Sequence, residues 1–311
     1  MTTKPDAAPS SPPQGTGGTD EGIRFARVLV ALTGGEASHA MIEAACLAAR
    51  ATNAALAALY VREQRLADLA ALPFATVLAP GHGVAEALTL DAVERAWLRA
   101  EAACRAALHS AHPAGTVAFQ SVSGRIETAV VGHAGPGDLL VLGPGGGLQA
   151  APSGALVKAA ARAAGAVLVV PAIVTNRTGP VVAIDDGDTA GAGTIRMASR
   201  LARASGRPLA LLALAAPGMH GALAARAASL AGGPFALHTW PAGEAAGVAD
   251  ALRYLTPSMV VADLSGAPFA EPGVLGAALR RATAPLLLMS GHAAQRIASQ
   301  AGAGGGPAAT G

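Results

Sequence analysis

The sequence predicts an α/β chain of two doubly wound, five-stranded parallel sheets, a pseudo-two-fold tandem repeat. Three observations carry this. Residues 27–61, RVLVALTGGEASHAMIEAACLAARATNAALAALYV, and residues 180–214, PVVAIDDGDTAGAGTIRMASRLARASGRPLALLAL, share one layout. Each is a short apolar run, a Gly-containing polar turn, an Ala-rich amphipathic segment and a second apolar run. That is strand, loop, helix and strand, the opening of a parallel unit, and its recurrence points to two similar domains. A length of 311 residues suits two domains of roughly 100–150 residues each. The runs at 28–32, 167–170 and 286–289 are uniformly apolar rather than alternating, as parallel strands covered on both faces are.

The elements follow in order. Residues 1–24 are rich in Pro, Gly, Ser and Thr and read as a disordered arm. The first domain, 25–173, opens with a strand at 28–32. A helix at 36–51 places Met41, Ala45 and Ala48 on one stripe, with Glu43 and Arg50 outward. A strand at 55–61 precedes an irregular stretch, 66–84, marked by Pro73, Pro80, Gly81 and Gly83. A long helix spans 89–111. Then come a strand at 116–122, a short helix at 126–133, a strand at 138–142 running into a glycine loop, a helix at 155–164 and a strand at 167–170. The second domain, 179–291, repeats this in shorter form. Its strands fall at 181–184, 209–214, 235–240, 259–262 and 286–289. Its helices fall at 193–204, 220–230, 245–255 and 274–281. The segment 298–311, ending AGAGGGPAATG, reads as a disordered tail.

Composition excludes several function classes. The chain is 52% hydrophobic but only 14% charged and 3% aromatic, with a net charge of +2. A near-neutral chain with scattered Arg has no electrostatic case for nucleic acid. The uncharged stretches 139–157 and 208–225 are broken by GPGGG with Pro152 and by Pro217-Gly218, so neither is an apolar run of about 20 residues. The N-terminus lacks the apolar core of a signal peptide. The expectation is a cytoplasmic protein without nucleic-acid or membrane partners. Cys46 and Cys104 lie in Ala-rich helical patterns and read as small buried hydrophobes.

Two clusters could carry chemistry. Gly143, Gly145, Gly146 and Gly147 follow a strand and precede a helix. Glycines let backbone N–H groups approach a phosphate, and the helix N-terminus adds partial positive charge. No Lys stands where a Walker loop places one, and a crossover kept open by glycine is the competing reading. Asp185, Asp186 and Asp188 follow a strand of the second half. They can cap the next helix, contact a ribose or adenine, or take part in Mg²⁺ binding. The eight histidines show no ligand spacing. Pro152-Ser153-Gly154 is no nucleophile elbow, because Gly stands on one side only. No catalytic constellation emerges, and a non-enzymatic role is expected.

Order and spacing over about residues 25–291 resemble the universal stress protein family in its tandem two-domain form. The residues that carry this are the repeated opening strand and turn, and the run DLLVLGPGGGLQAAPSGALVKAAARAAGAVLVVP, a glycine loop followed by a helix and a final apolar strand. The resemblance implies an adenine nucleotide alpha hydrolase-like fold with strand order 3-2-1-4-5 in each domain. It also implies an intramolecular pseudo-dimer, with further oligomerisation open. Nucleotide-binding members carry Gly-x2-Gly, nine further residues, then Gly-Ser or Gly-Thr. Gly143-Pro144-Gly145-Gly146 matches the first part. Ser153-Gly154 stands where the second belongs, and Thr33 occupies the place of the adenine-side Asp. The second half keeps that Asp as Asp185 but lacks the loop, with Pro272-Gly273 in place of Gly-Ser. The expected function is a stress-response regulatory protein acting on protein partners, with weak binding of ATP or AMP with Mg²⁺ in the first domain. An ATP-binding protein with slow hydrolysis, and a doubly wound enzyme or flavin-type electron-transfer subunit, are the alternatives.

Overall fold

The computed structural model describes residues 25–300 except 36, 79–84, 114, 145–150, 186, 188, 215–218, 241–244, 267–268 and 270–272. The expected arm at 1–24 and the tail beyond 300 lie outside the described residues.

The first half runs β1 (Arg27–Leu32), α1 (Ala37–Thr52), β2 (Ala55–Glu63), α2 (Gln64–Ala70), β3 (Thr76–Leu78), β4 (Ala85–Ala87), α3 (Leu90–Ala111), β5 (Val117–Gly124), α4 (Ile126–His133), β6 (Asp138–Leu142), α5 (Gly154–Ala163) and β7 (Ala166–Val169). The second runs β8 (Val181–Asp185), α6 (Thr189–Ser205), β9 (Leu209–Leu214), α7 (His220–Ala231), β10 (Phe235–Trp240), α8 (Ala245–Leu255), β11 (Met259–Asp263), α9 (Val274–Arg281), β12 (Leu286–Met289) and α10 (Gly291–Gln300).

The sheet corrects the expectation of two separate five-stranded parallel sheets. One mixed ten-stranded sheet passes through both halves in the order β10-β9-β8-β11-β12-β7-β6-β1-β2-β5. Strands within each half pair in parallel, and β7 meets β12 antiparallel, with Leu168 opposite Leu287. The physical reason is edge closure. β7 (AVLV) and β12 (LLLM) are apolar at every position and buried throughout. Left as edges, each would present unpaired N–H and C=O groups in an apolar setting, which costs more than pairing them.

Strand side chains alternate between two buried layers. Val28, Val30 and Leu32 face one, and Leu29 and Ala31 the other. The first layer is closed by residues of α1, α3, α6, α7 and α10. The second is closed by residues of α4, α5, α8 and α9. Ala294 and Ile297 of α10 join the same layer as Leu168 and Leu287, and this helix packs on α6. Ser290 reinforces the seam between β7 and β12, with its backbone N–H and its hydroxyl both donating to the Gly165 carbonyl, at 3.1 and 3.0 Å. α10 runs to Gln300, past the point where the sequence reading began a tail. The stretch read as irregular contains α2 and the β3–β4 hairpin.

Among the described residues, no helix is long and apolar enough to cross a membrane. Cys46 and Cys104 are free and buried, and burial pushes both thiols up from their ordinary range.

Candidate functional site

In a doubly wound sheet, ligands meet the carboxyl ends of the strands where the order reverses. This chain has two such points, one between β1 and β6 and one between β8 and β11.

At the first, the β1–β6 register pairs Val30 with Val141. Continued by two residues, it sets Leu32 beside Gly143 and brings Thr33 to the same edge. Thr33 is half-buried. Gly34 follows at φ +88°, in the left-handed region that glycine enters without strain. A Cβ on Gly34 would stand 2.9 Å from the Ala100 Cβ of α3, so this helix closes down over the strand end. Tyr60 ties it there, its hydroxyl donating to the Trp97 carbonyl at 3.3 Å. Burial, with Cys104 and Glu101 nearby, pushes the Tyr60 hydroxyl up to about 12, so it stays a neutral donor.

Gly143 is buried, and the Met41 thioether of α1 occupies the space where its Cβ would be. Its lack of a side chain therefore serves helix packing. Ser153 caps α5, its hydroxyl oxygen accepting from the Leu156 N–H at 3.1 Å. Gly154 opens that helix against α9, where a Cβ would lie 3.7 Å from the Gly276 nitrogen. Gly145, Gly146 and Gly147 lie outside the described residues. Thr33 and Gly143 thus share the strand edge, while Ser153 and Gly154 sit where the two halves touch.

The second point is acidic. Asp185 ends β8 and Asp263 ends β11, and both are buried. The register pairs Val261 with Ala183, so the two Asp residues continue it side by side. Both project into the layer that holds Val181, Ala183, Met259 and Val261. The chain itself holds these carboxylates. Asp185 accepts from the Gly187 N–H at 3.1 Å and faces Arg226 of α7 at 3.5 Å. Asp263 accepts from the N–H and hydroxyl of Ser265, at 3.0 and 2.9 Å. Asp185 therefore fixes the turn that follows β8. Asp186 and Asp188 lie outside the described residues. Sequence reasoning missed Asp263. Its signal was available, since MVVAD closes on an Asp as VVAID does. Among the described residues no group of three or more His, Cys, Asp or Glu side chains could hold a metal ion.

For an adenine nucleotide, the first point offers Thr33, half-buried at the strand end, and the left-handed turn at Gly34-Gly35. The Gly143 face is taken by Met41, and the Ser153 oxygen is engaged in capping. The second point fits worse, because a phosphate there would meet two buried carboxylates.

No protein-family model matches the chain, and no curated protein matches its sequence. Solved structures match its shape. A universal stress protein from Archaeoglobus fulgidus DSM 4304 superposes with a TM-score of 0.58 at 10% identity, over 85% of this chain and 98% of that one. A protein from Pseudomonas aeruginosa UCBPP-PA14, assigned provisionally to the universal stress proteins, gives 0.52 at 15% identity, over 89% and 98%. The cytoplasmic domain of a prokaryotic cation chloride cotransporter gives 0.51 at 10% identity, over 88% and 99%. At these identities the likeness concerns the fold alone. The chain has a universal-stress-protein-like fold.

Proposed function

We propose that the chain is a regulatory binding protein of the universal-stress type, acting through protein partners rather than through chemistry of its own. The observation that carries this reading is an apolar outer unit on the first half. Leu66 and Leu69 of α2, Leu72 and Phe74 in the turn after it, Val77 of β3 and Leu90 of α3 are all exposed, Phe74 by 77%. α2 buries none of its own residues, so core packing does not account for its apolar character. A contiguous exposed apolar patch marks an interaction surface, whereas single exposed hydrophobics do not. A photo-crosslinker at position 74, with one at exposed Ser229 of α7 as control, tests this in the source cell. Specific products should form from position 74, and the protein they identify should bind the purified chain. That binding should fail with Leu69→Ser and Phe74→Ser together. Equal labelling from both positions refutes the reading.

Adenine nucleotide, ATP or AMP with Mg²⁺, binds weakly and in the first half only. Each charged hydrogen bond that this pocket lacks costs about 1.5–3 kcal/mol, roughly ten- to a hundredfold in affinity. Calorimetric titration with ATP and Mg²⁺ should give an affinity no better than about tens of micromolar. Gly146→Asp should abolish the signal, and Asp185→Asn should leave it. Submicromolar binding that survives the first change and is lost in the second would place the site in the other half.

A further inference from the structure

A cavity of about 350 Å³ lies between α8 and α9, at the amino ends of β11 and β12. Its wall is apolar, with Leu252, Val260, Phe269, Val274 and Leu286 among the lining residues. The equivalent helices of the first half, α4 and α5, pack directly on each other. In the second half the corresponding space is open. Small side chains at Ala277 and Ala278 help to keep it so. An apolar cavity of about 150 Å³ accommodates benzene. One of about 350 Å³ therefore has room for roughly ten to fourteen non-hydrogen atoms, and it lies in the size range of small-molecule sites.

The mouth carries charge. Arg253 lines it but is paired with Asp250 at 2.8 Å. Arg281, in the last turn of α9, also lines it and forms no ion pair among the described residues. An apolar chamber with one uncommitted guanidinium at its rim suits a ligand with an apolar body and a single anionic end. A guanidinium matches a carboxylate with two parallel N–H donors. We propose that this cavity binds a medium-chain carboxylic acid, its alkyl tail between α8 and α9 and its carboxylate on Arg281. The site lies on the other half from the exposed apolar unit and does not depend on the regulatory reading.

Decanoate, with twelve non-hydrogen atoms, and decan-1-ol, its neutral counterpart, are the probes. Calorimetric titration of the full chain with decanoate should show saturable binding at one site per chain. Ala278→Phe adds six carbons and takes up about half of the chamber, and it should abolish binding of both probes while leaving the melting temperature unchanged or raised. Arg281→Gln should weaken decanoate by about tenfold and leave decan-1-ol unchanged. Absence of decanoate binding to the wild-type chain, or binding that persists in a folded Ala278→Phe variant, overturns the site. Equal loss of both probes in Arg281→Gln overturns the carboxylate assignment.

Discussion

Replacing Gly143 by Ala separates the two roles that this glycine can hold. A Cβ there would meet Met41 at its sulfur, at Cγ 2.9 Å away and at Cε 3.2 Å away. Met41 is itself buried within the layer that holds Ile42, Ala45 and Val141. The new methyl therefore forces the thioether to move inside a filled core. Overpacking of this kind costs about 1–3 kcal/mol. Three atoms of Met41 are affected, which argues for the upper part of that range. Its three flexible torsions argue for the lower. The expected cost is about 2 kcal/mol, or a fall of about 3 °C in melting temperature for a chain of this size. Met41→Ala alone should cost about 2–5 kcal/mol through the cavity it leaves. The double variant should be more stable than the sum of the two, by 1 kcal/mol or more, because the added methyl then enters vacated space. Thermal melts of the four proteins, followed by circular dichroism, measure this. Effects that add to within about 0.5 kcal/mol would refute the contact. An unchanged melting temperature with lost ATP binding would give Gly143 to a ligand instead.

Two further predictions follow from the body of the fold. Glu101 of α3 accepts from Arg62 and Arg105, at 3.0 and 2.9 Å. The Ser121 hydroxyl beside it, then these two guanidinium groups, pull its carboxyl from the usual 4.5 to about 2 against the effect of burial. A depressed carboxylate stabilises the fold fully above its unfolded value and loses that contribution as pH falls through the folded one, here from about 4.5 toward about 2. Ser121 does not meet strict hydrogen-bond geometry, so the two arginines carry the magnitude, about 2 kcal/mol. Glu101→Gln should lower stability at pH 7 by that amount and flatten the acid limb below about pH 4.5, whereas an acid limb parallel to the wild type would sink the assignment. At the seam, the amides of residues 166–169 and 286–289 should exchange hydrogen only with global opening. Fast exchange on the facing edges would mean that the ten strands are not one sheet.

The repeated opening units were legible because their apolar runs and Ala-rich stripes carry the periods of buried strands and amphipathic helices. The seam was not. The AVLV and LLLM strands look alike whether they end two sheets or join one, because side-chain pattern reports the faces of a strand and not its edges. α2 escaped notice for a different reason. It buries no side chain, so no core stripe marks it. α10 did carry a stripe, in Ala293, Ala294 and Ile297, but the glycine-rich run after it diluted the signal. At the candidate site, the glycine pattern showed where backbone could approach something. It could not show that Met41, more than a hundred residues away, is what approaches Gly143.

The same edge physics explains where the sheet stops. Its outer strands are β5 and β10, and neither contains a buried residue, whereas the inner strands are mostly or wholly buried. β5 carries Gln120, Ser121 and Ser123, and β10 carries His238 and Thr239. Water reaches these outer edges, so their unpaired N–H and C=O groups are not left in an apolar setting. The fully apolar strands β7 and β12 were the edges at risk within each half, and they close on each other. Within the ten-stranded sheet, β5 and β10 alone keep an open backbone edge, and along both the side chains stay partly or fully in contact with solvent.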